Sequence, residues 1–92
     1  MTKRAFAVET SVNNDTGDLL AVYLRVRDGE FAETREVVGG VVNADYDSHG
    51  CLLGVELLGA CDLTVLEGVT TNEPEAVRHF LRAVAPRGLV PA

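Results

Sequence analysis

The sequence has few basic residues and no long apolar run. Lys and Arg together number 8 against 14 Asp and Glu, which gives a net charge of −6. Nucleic acids and anionic membrane surfaces are bound through basic patches, so neither is an expected partner. No apolar stretch approaches the roughly 18 residues of a membrane span, and no apolar signal-peptide region follows Lys3 and Arg4. We therefore expect a cytoplasmic protein without a membrane anchor.

Cysteines are also scarce. Secreted domains of this length usually carry about four or more of them as a disulfide scaffold. This chain has 2, Cys51 and Cys61, and they do not form a Cys-x-x-Cys motif. Two free and partly buried thiols in a reducing compartment are the expected state.

The length of the chain and the distribution of its charges limit the number of domains, the size of the core and the class of partner. A chain of 92 residues that is 47% hydrophobic predicts one folded domain, residues 1–92, with a small core and no deep cavity. Residues 28–75 contain one basic residue, Arg35, and eleven acidic ones, whereas residues 76–92 contain three arginines and no acid. A solvated surface that keeps the domain soluble explains the acidic segment 28–75. The alternative is that this segment forms an acidic face that captures a basic protein partner.

Alternation of apolar and polar residues dominates as far as Leu66 and predicts strands. The clearest strand runs from Leu20 to Val26, and the others are predicted around Phe6–Val12, Phe31–Val37, Val41–Tyr46 and Cys51–Leu58. The connections have turn-forming sequences: Asn13–Asp18, Asp28-Gly29, Gly39-Gly40 and Asp47–Gly50. Short turns join antiparallel neighbours, so residues 5–66 are predicted to form an antiparallel meander of four to six strands.

The register of the Asp28-Gly29 hairpin stays open. A three-residue loop brings Arg25 near Glu33, whereas a two-residue loop places Val26 opposite Phe31. The two alternatives exchange the faces of the returning strand.

A C-terminal helix over residues 72–85 is predicted to pack on the sheet, which makes the fold class α+β. Asn72 and Glu75 have the spacing of a capping box. An apolar stripe follows at helical spacing, formed by Val77, Phe80, Leu81 and Val84. Residues 62–66 are predicted as one more short strand, and residues 87–92 as a loose tail.

One helix cannot cover two apolar sheet faces. If it lies on Leu53, Val55 and Leu57, the opposite face keeps four candidate interface residues: Leu19, Tyr23, Leu52 and Leu58. Monomers rarely leave such a patch exposed, so we expect a homo-oligomer, with a dimer as the simplest form. The alternative is that residues 62–69 fold over this face within one chain.

The segment from Asp45 to Glu56 has the residue spacing of a calcium-binding EF-hand loop. His49 stands at a position that needs an oxygen ligand, the flanks alternate like strands, and no second loop pairs with this one. We therefore predict a hairpin with Gly50 in a left-handed conformation, without a metal site.

The usual catalytic patterns are missing too. His49 and His79 lack metal-ligand spacing, and Ser11 and Ser48 lie outside any Gly-x-Ser-x-Gly motif. The sequence also lacks the glycine-rich motifs that cradle phosphates. We predict no catalytic residue, no cofactor and no enzymatic activity.

Five segments within about residues 15–60 carry a recognisable pattern: Ala21–Arg25, Asp28-Gly29, Ala32–Val37, Gly40–Asp47 and Gly50–Leu58. The most distinctive part is the run Asp-x-Asp-x-x-Gly-x-Leu-x-Gly-[Ile/Val]-Glu-[Ile/Leu]-Leu, which starts at Asp45. Together these segments resemble a bacterial family, the domain of unknown function 2283. The resemblance implies a small antiparallel β domain and no assigned activity.

These observations favour a bacterial non-enzymatic module that oligomerises or binds a protein. One alternative is an antitoxin-like inhibitor of a small partner protein, and another is a weak metal- or ligand-binding protein.

Overall fold

A computed structural model describes residues 4–85 as one antiparallel sheet with two helices packed on one face. The elements are β1 Arg4–Val12, β2 Leu19–Arg27, β3 Phe31–Val38, β4 Val42–Asp47, β5 Leu52–Leu57, α1 Leu63–Val69 and α2 Glu75–Val84. The predicted α+β class is confirmed, and the prediction of one helix is wrong. The predicted tail at 87–92 lies outside the described residues.

The strand order is β1-β2-β5-β4-β3, so the sheet is not a meander. The β4–β5 hairpin lies between β2 and β3, which gives the last four strands a Greek-key order. Asp28-Gly29 therefore begins a crossover past that hairpin, and both predicted registers are wrong because β2 and β3 do not pair.

Burial explains this order. Five of the six β5 residues are buried, whereas all eight β3 residues are exposed. A strand that is apolar at nearly every position is stable only with neighbours on both sides and cover on its face, whereas a charged strand tolerates an edge.

The other three predicted turns are confirmed. Asn13 closes the β1–β2 turn by accepting hydrogen bonds on Oδ1 from the backbone N–H groups of Asp15 and Thr16, at 2.8 and 3.1 Å. Gly40 and Gly50 adopt φ values of 73° and 79° in the β3–β4 and β4–β5 turns. Only glycine adopts this conformation without steric cost.

The core lies between the helices and the centre of the sheet. It consists of Val22, Leu24, Val26, Val42, Ala44, Leu52, Val55, Leu57, Leu66, Val77 and Leu81. Leu52 was predicted on the opposite face. A register shift beside it pairs Asp45 with Gly54 but Tyr46 with Leu52, so β5 advances two residues while β4 advances one. Such a bulge reverses the alternation of faces and brings Leu52 into the core.

The predicted short strand at residues 62–66 is wrong, because Asp62 is the N-cap of helix α1 and residues 63–66 form its first part. Leu63, Leu66 and Val69 recur at a spacing of three, and Leu66 reaches the core. Thr70 follows the helix and donates its hydroxyl to the Leu66 carbonyl at 2.9 Å.

Helix α2 begins at Glu75 after Pro74, without a side-chain cap, so the predicted capping box at Asn72 is wrong. Glu75 instead accepts a hydrogen bond at 2.6 Å from Arg82, which lies about two turns further along the helix. The apolar stripe is present, with Val77 and Leu81 buried and Phe80 stacked on Phe6 at 4.5 Å between ring centroids.

Candidate interaction surface

The sheet face opposite the helices is polar. We call it the open face, and its central residues are Glu9, Tyr23, Arg25, Thr34, Glu36, Asn43, Asp45, Gly54 and Glu56. The expectation that both faces need apolar cover is therefore wrong, because most of these side chains are polar and hydrogen-bond to one another.

A hydrogen-bonded chain crosses four strands of the open face. The Tyr23 hydroxyl on β2 donates to Asp45 Oδ2 on β4 at 3.1 Å, and the Thr34 hydroxyl on β3 donates to Asp45 Oδ1 at 2.7 Å. Each carboxylate oxygen of Asp45 thus accepts one side-chain donor. The arrangement fixes β2 and β3 relative to β4, although β2 and β4 are not neighbours.

Gly54 makes this crossing possible. It lies on β5 between Tyr23 and Asp45, and a Cβ added there would collide with the phenol ring and hydroxyl of Tyr23. The Tyr23 side chain therefore lies directly on the Gly54 backbone. Sequence analysis missed this contact, although an isolated glycine inside a strand signals a close approach of this kind.

The environment of Tyr23 makes its hydroxyl a poor base or nucleophile. Burial, followed by the nearby Asp45 charge and the hydrogen bond to it, raises the pKa of Tyr23 to about 12. At neutral pH the hydroxyl stays protonated and donates to the carboxylate. The chain of Tyr23, Asp45 and Thr34 therefore serves to hold strands together.

Two further pairs of hydrogen-bonded side chains lie on the open face beside Tyr23, Asp45 and Thr34. Arg25 on β2 bonds Glu9 on the edge strand β1 at 2.9 Å, and this hydrogen bond raises the pKa of Arg25. Asn43 donates to Glu56 Oε1 at 3.4 Å. The open face thus keeps a negative balance, with several carboxylates against one guanidinium.

The structure separates the four predicted interface residues. Leu19, Tyr23 and Leu58 lie on the open face or at its end, and Leu19 and Leu58 are 42% and 43% exposed. Leu52 is only 1% exposed and lies among the core residues with Leu66 of α1. The alternative, in which residues 62–69 fold over the face opposite the C-terminal helix, is wrong as well, because α1 packs on the same face as α2 and Leu52 joins the core there.

Edge strand β3 offers a different surface. Phe31 is 60% exposed, and Val37 and Val38 are also exposed near the other end of the strand. Between them Glu33 and Arg35 form an ion pair at 2.7 Å, and the Arg35 guanidinium lies 4.3 Å from the centre of the Tyr46 ring. β3 pairs with β4 on one side, and on the other side no strand of the described part of the chain lies next to it.

A family model described as a protein of unknown function, DUF2283, matches residues 15–60, which is half of the 92 residues. The chain belongs to this family. Neither a curated protein nor a solved structure matches the chain. The DUF2283 segment contains β2 to β5 and therefore the whole hydrogen-bonded chain from Tyr23 to Thr34, whereas β1, α1 and α2 lie outside it.

The EF-hand-like spacing from Asp45 to Glu56 is the β4–β5 hairpin of the DUF2283 segment. Asp47 Oδ1 accepts the backbone N–H groups of His49 and Cys51, both at 2.9 Å, and so closes the turn. The residues after the turn run away along β5 instead of wrapping around an ion. Within residues 4–85 no three His, Cys, Asp or Glu side chains are grouped as metal ligands.

The remaining reactive side chains lie apart from this surface. His49 is exposed on a turn and His79 on α2, while Cys51 and Cys61 are free and half-buried. Burial, with a smaller effect of Asp62, raises the pKa of the Cys61 thiol, which lowers its reactivity. No described helix is long and apolar enough to cross a membrane.

A contact that sequence analysis also missed joins the helices to the sheet. Arg27, at the end of β2, pairs with Glu73 of the α1–α2 connection at 2.7 Å, and both side chains are largely buried. The other terminal nitrogen of Arg27, Nη1, donates a hydrogen bond to the Leu52 carbonyl oxygen at 2.5 Å. The spacing of 46 residues gives no local sequence signal.

Proposed function

We propose that this chain is a non-enzymatic module that binds protein, with a second copy of itself as first partner. The observation that carries the proposal is strand β3, whose eight residues are all exposed at a sheet edge and which has no outer neighbour among residues 4–85. An edge of this kind presents a row of backbone donors and acceptors for another strand. Many protein-binding modules use this mode of strand addition.

The distribution of exposed apolar side chains supports it. Nine large hydrophobic residues are exposed in the described part of the chain, and six lie on the two edge strands. They are Phe6, Val8 and Val12 of β1 and Phe31, Val37 and Val38 of β3. Addition of a strand from a partner would remove such side chains from water, at about 25 cal/mol for each Å² of apolar surface.

The chemistry of the open face supports a role without catalysis. Asp45 is occupied by two hydroxyl donors, and Tyr23 is held as a protonated donor. Groups that satisfy one another in this way stabilise the sheet and leave no poised acid or base for a substrate.

A second candidate is an antitoxin-like inhibitor that binds a basic protein through the open face. The excess of Glu9, Asp45 and Glu56 over Arg25 favours it, because opposite charge steers a basic partner to such a face. Such a complex would weaken with salt, since the Debye length falls from about 10 Å at 0.1 M to about 3 Å at 1 M.

Light scattering on the purified chain tests the main proposal. We expect a mass of about twice the 9.8 kDa of one chain at micromolar concentration. The dimer should persist at high salt, because backbone hydrogen bonds and apolar burial hold it. A mass of 9.8 kDa at all concentrations would contradict self-association and leave the open face as the candidate surface.

A further inference from the structure

We infer that β3 pairs with β3 of a second copy, antiparallel and centred on Thr34, so that two sheets merge into one. This inference rests on the proposed self-association and adds the surface and the register. It follows from the symmetry of a strand pair and from the order of charges along β3.

Symmetry limits the possible registers. Two identical edge strands related by a closed two-fold axis run antiparallel, so each residue pairs with the one equally far from the axis. Backbone groups along a strand point alternately towards β4 and away from it, and in an antiparallel pair residues that point outward oppose each other, as do residues that point towards β4. The axis must therefore pass through a residue, not between two residues.

Charge then selects one of these registers. An axis through Thr34 places Glu33 opposite the partner's Arg35 and, by symmetry, Arg35 opposite the partner's Glu33. An axis through Glu33, Arg35 or Glu36 places a charged residue opposite its own copy. Opposite charges across a strand pair stabilise it and like charges destabilise it, so the Thr34-centred register is preferred.

The same register also matches the apolar residues. Beyond the register shifts of β3, it brings the Phe31 end of one strand to the Val37 end of the other, and both side chains are exposed in the single chain. The residues from Glu33 to Glu36 lie between the two register shifts of β3, so the charged centre is a regular strand. Nothing in residues 4–85 covers the outer edge of β3.

The other edge strand lacks this self-complementarity. The regular stretch of β1, from Ala7 to Ser11, has one charged residue, Glu9, which already binds Arg25. An axis through Glu9 would bring two identical charges together, and any other axis pairs Glu9 with an uncharged residue of that stretch. β3 is therefore the edge that fits a second copy.

Charge reversal tests the register. Arg35→Glu should raise the dimer dissociation constant at least about tenfold, because Glu33 of each copy would then oppose a carboxylate. Adding Glu33→Arg to this variant should restore the dimer, since the pair is reversed in both copies. Asp15→Arg, an exposed charge reversal in the β1–β2 turn, is the matched control and should leave dimerisation unchanged.

Cysteine trapping tests the geometry in a Cys51→Ala, Cys61→Ala background. Thr34→Cys should form an interchain disulfide, because paired Cα atoms lie about 4.5–5.5 Å apart, within disulfide range. Glu36→Cys alone should not form a disulfide. The two Glu36 positions would lie four residues apart along the paired strands, a distance of about 13 Å. An equimolar mixture of Glu33→Cys and Arg35→Cys should cross-link, because these positions oppose each other between the two register shifts.

The outcomes separate this inference from the proposed function. A dimer that ignores the charge reversals and gives no Thr34→Cys disulfide would overturn the β3 pairing and leave self-association through another surface. A monomeric wild type would overturn both. Circular dichroism of each variant shows that it is folded, and the Glu33→Cys and Arg35→Cys pair tests the register without changing Thr34.

Discussion

At the scale of single residues, Gly54 and Tyr23 form the contact on which the open face depends. Strand propensity disfavours glycine in a central strand. Here the absent side chain is what allows the Tyr23 ring to lie on β5 and reach Asp45. An apparent local weakness of β5 thus enables a tertiary contact across three strands.

We predict that Gly54→Ala lowers the free energy of unfolding by about 1–3 kcal/mol, because the new methyl group collides with Tyr23. Denaturant titration measures the change. Gly68→Ala is the matched control: no atom lies near its added methyl group, and alanine in a helix should stabilise by about 0.5–1 kcal/mol. In a Tyr23→Ala background the Gly54→Ala penalty should largely vanish, and a penalty that persists would show that the ring is not its cause.

A second residue-scale prediction concerns the ionisation of Tyr23. Its pKa is raised from 10.0 to about 12, so the folded protein holds the proton more tightly than the unfolded chain does. The associated stability is fully present below pH 10 and is lost as the pH rises towards 12. The difference in tyrosinate absorbance between the wild type and Tyr23→Phe should titrate in this window.

Asp45→Asn is the control for that titration. Removal of the carboxylate charge should shift the ionisation of Tyr23 to lower pH, while burial keeps its pKa above the ordinary value. A Tyr23 titration at pH 10 in the wild type would contradict the contact with Asp45.

At the scale of elements, each strand's place in the sheet follows from its burial. β5 has apolar residues at almost every position and occupies the centre, whereas β3 is charged and occupies an edge. Helix α2 follows the same rule, because its buried residues, Val77 and Leu81, are those that contact the core. Phe80 lies at the border of this stripe and stacks on an exposed ring.

We therefore predict that Leu81→Ala costs about 2–5 kcal/mol of stability, whereas Phe80→Ala costs less, because its side chain is only half-buried. Thermal and denaturant unfolding measure both. His79→Ala, on the exposed side of the same helix, should stay within about 0.5 kcal/mol of wild type. Equal costs for Phe80→Ala and Leu81→Ala would show that the helix packs on a different face.

At the scale of the whole molecule, the helices are smaller than the sheet they cover. Val8 lies opposite Leu24 on the helix-covered face, yet it is exposed because α1 and α2 pack mainly on the central strands and reach β1 through the stack of Phe80 on Phe6. Both edge strands thus keep apolar surface in contact with water. A sheet with two such edges is a template for association, and a closed dimer limits pairing to one partner.

If the chain self-associates, its melting temperature should rise with protein concentration, because mass action favours the folded dimer. Over about 1–100 µM we expect a rise of several degrees, since 1 kcal/mol shifts a domain of this size by about 4–8 °C. Calorimetry or circular dichroism measures it. Arg35→Glu should melt at a lower temperature than the wild type at each concentration, because its dimer is weaker, and a concentration-independent wild type would contradict self-association.

Local patterns in the sequence determined the strands, three of the four turns and the apolar stripe of α2, because alternation, glycine conformations and helical spacing depend on near neighbours. They also determined the family, through the run that starts at Asp45. Tertiary structure decided the strand order, since the hairpin of β4 and β5 enters between β2 and β3 to bury the most apolar strand. It also decided the face of Leu52, because one bulge reverses the alternation, and the contact of Tyr23 with Asp45, which needs Gly54 brought between them from a distant part of the chain.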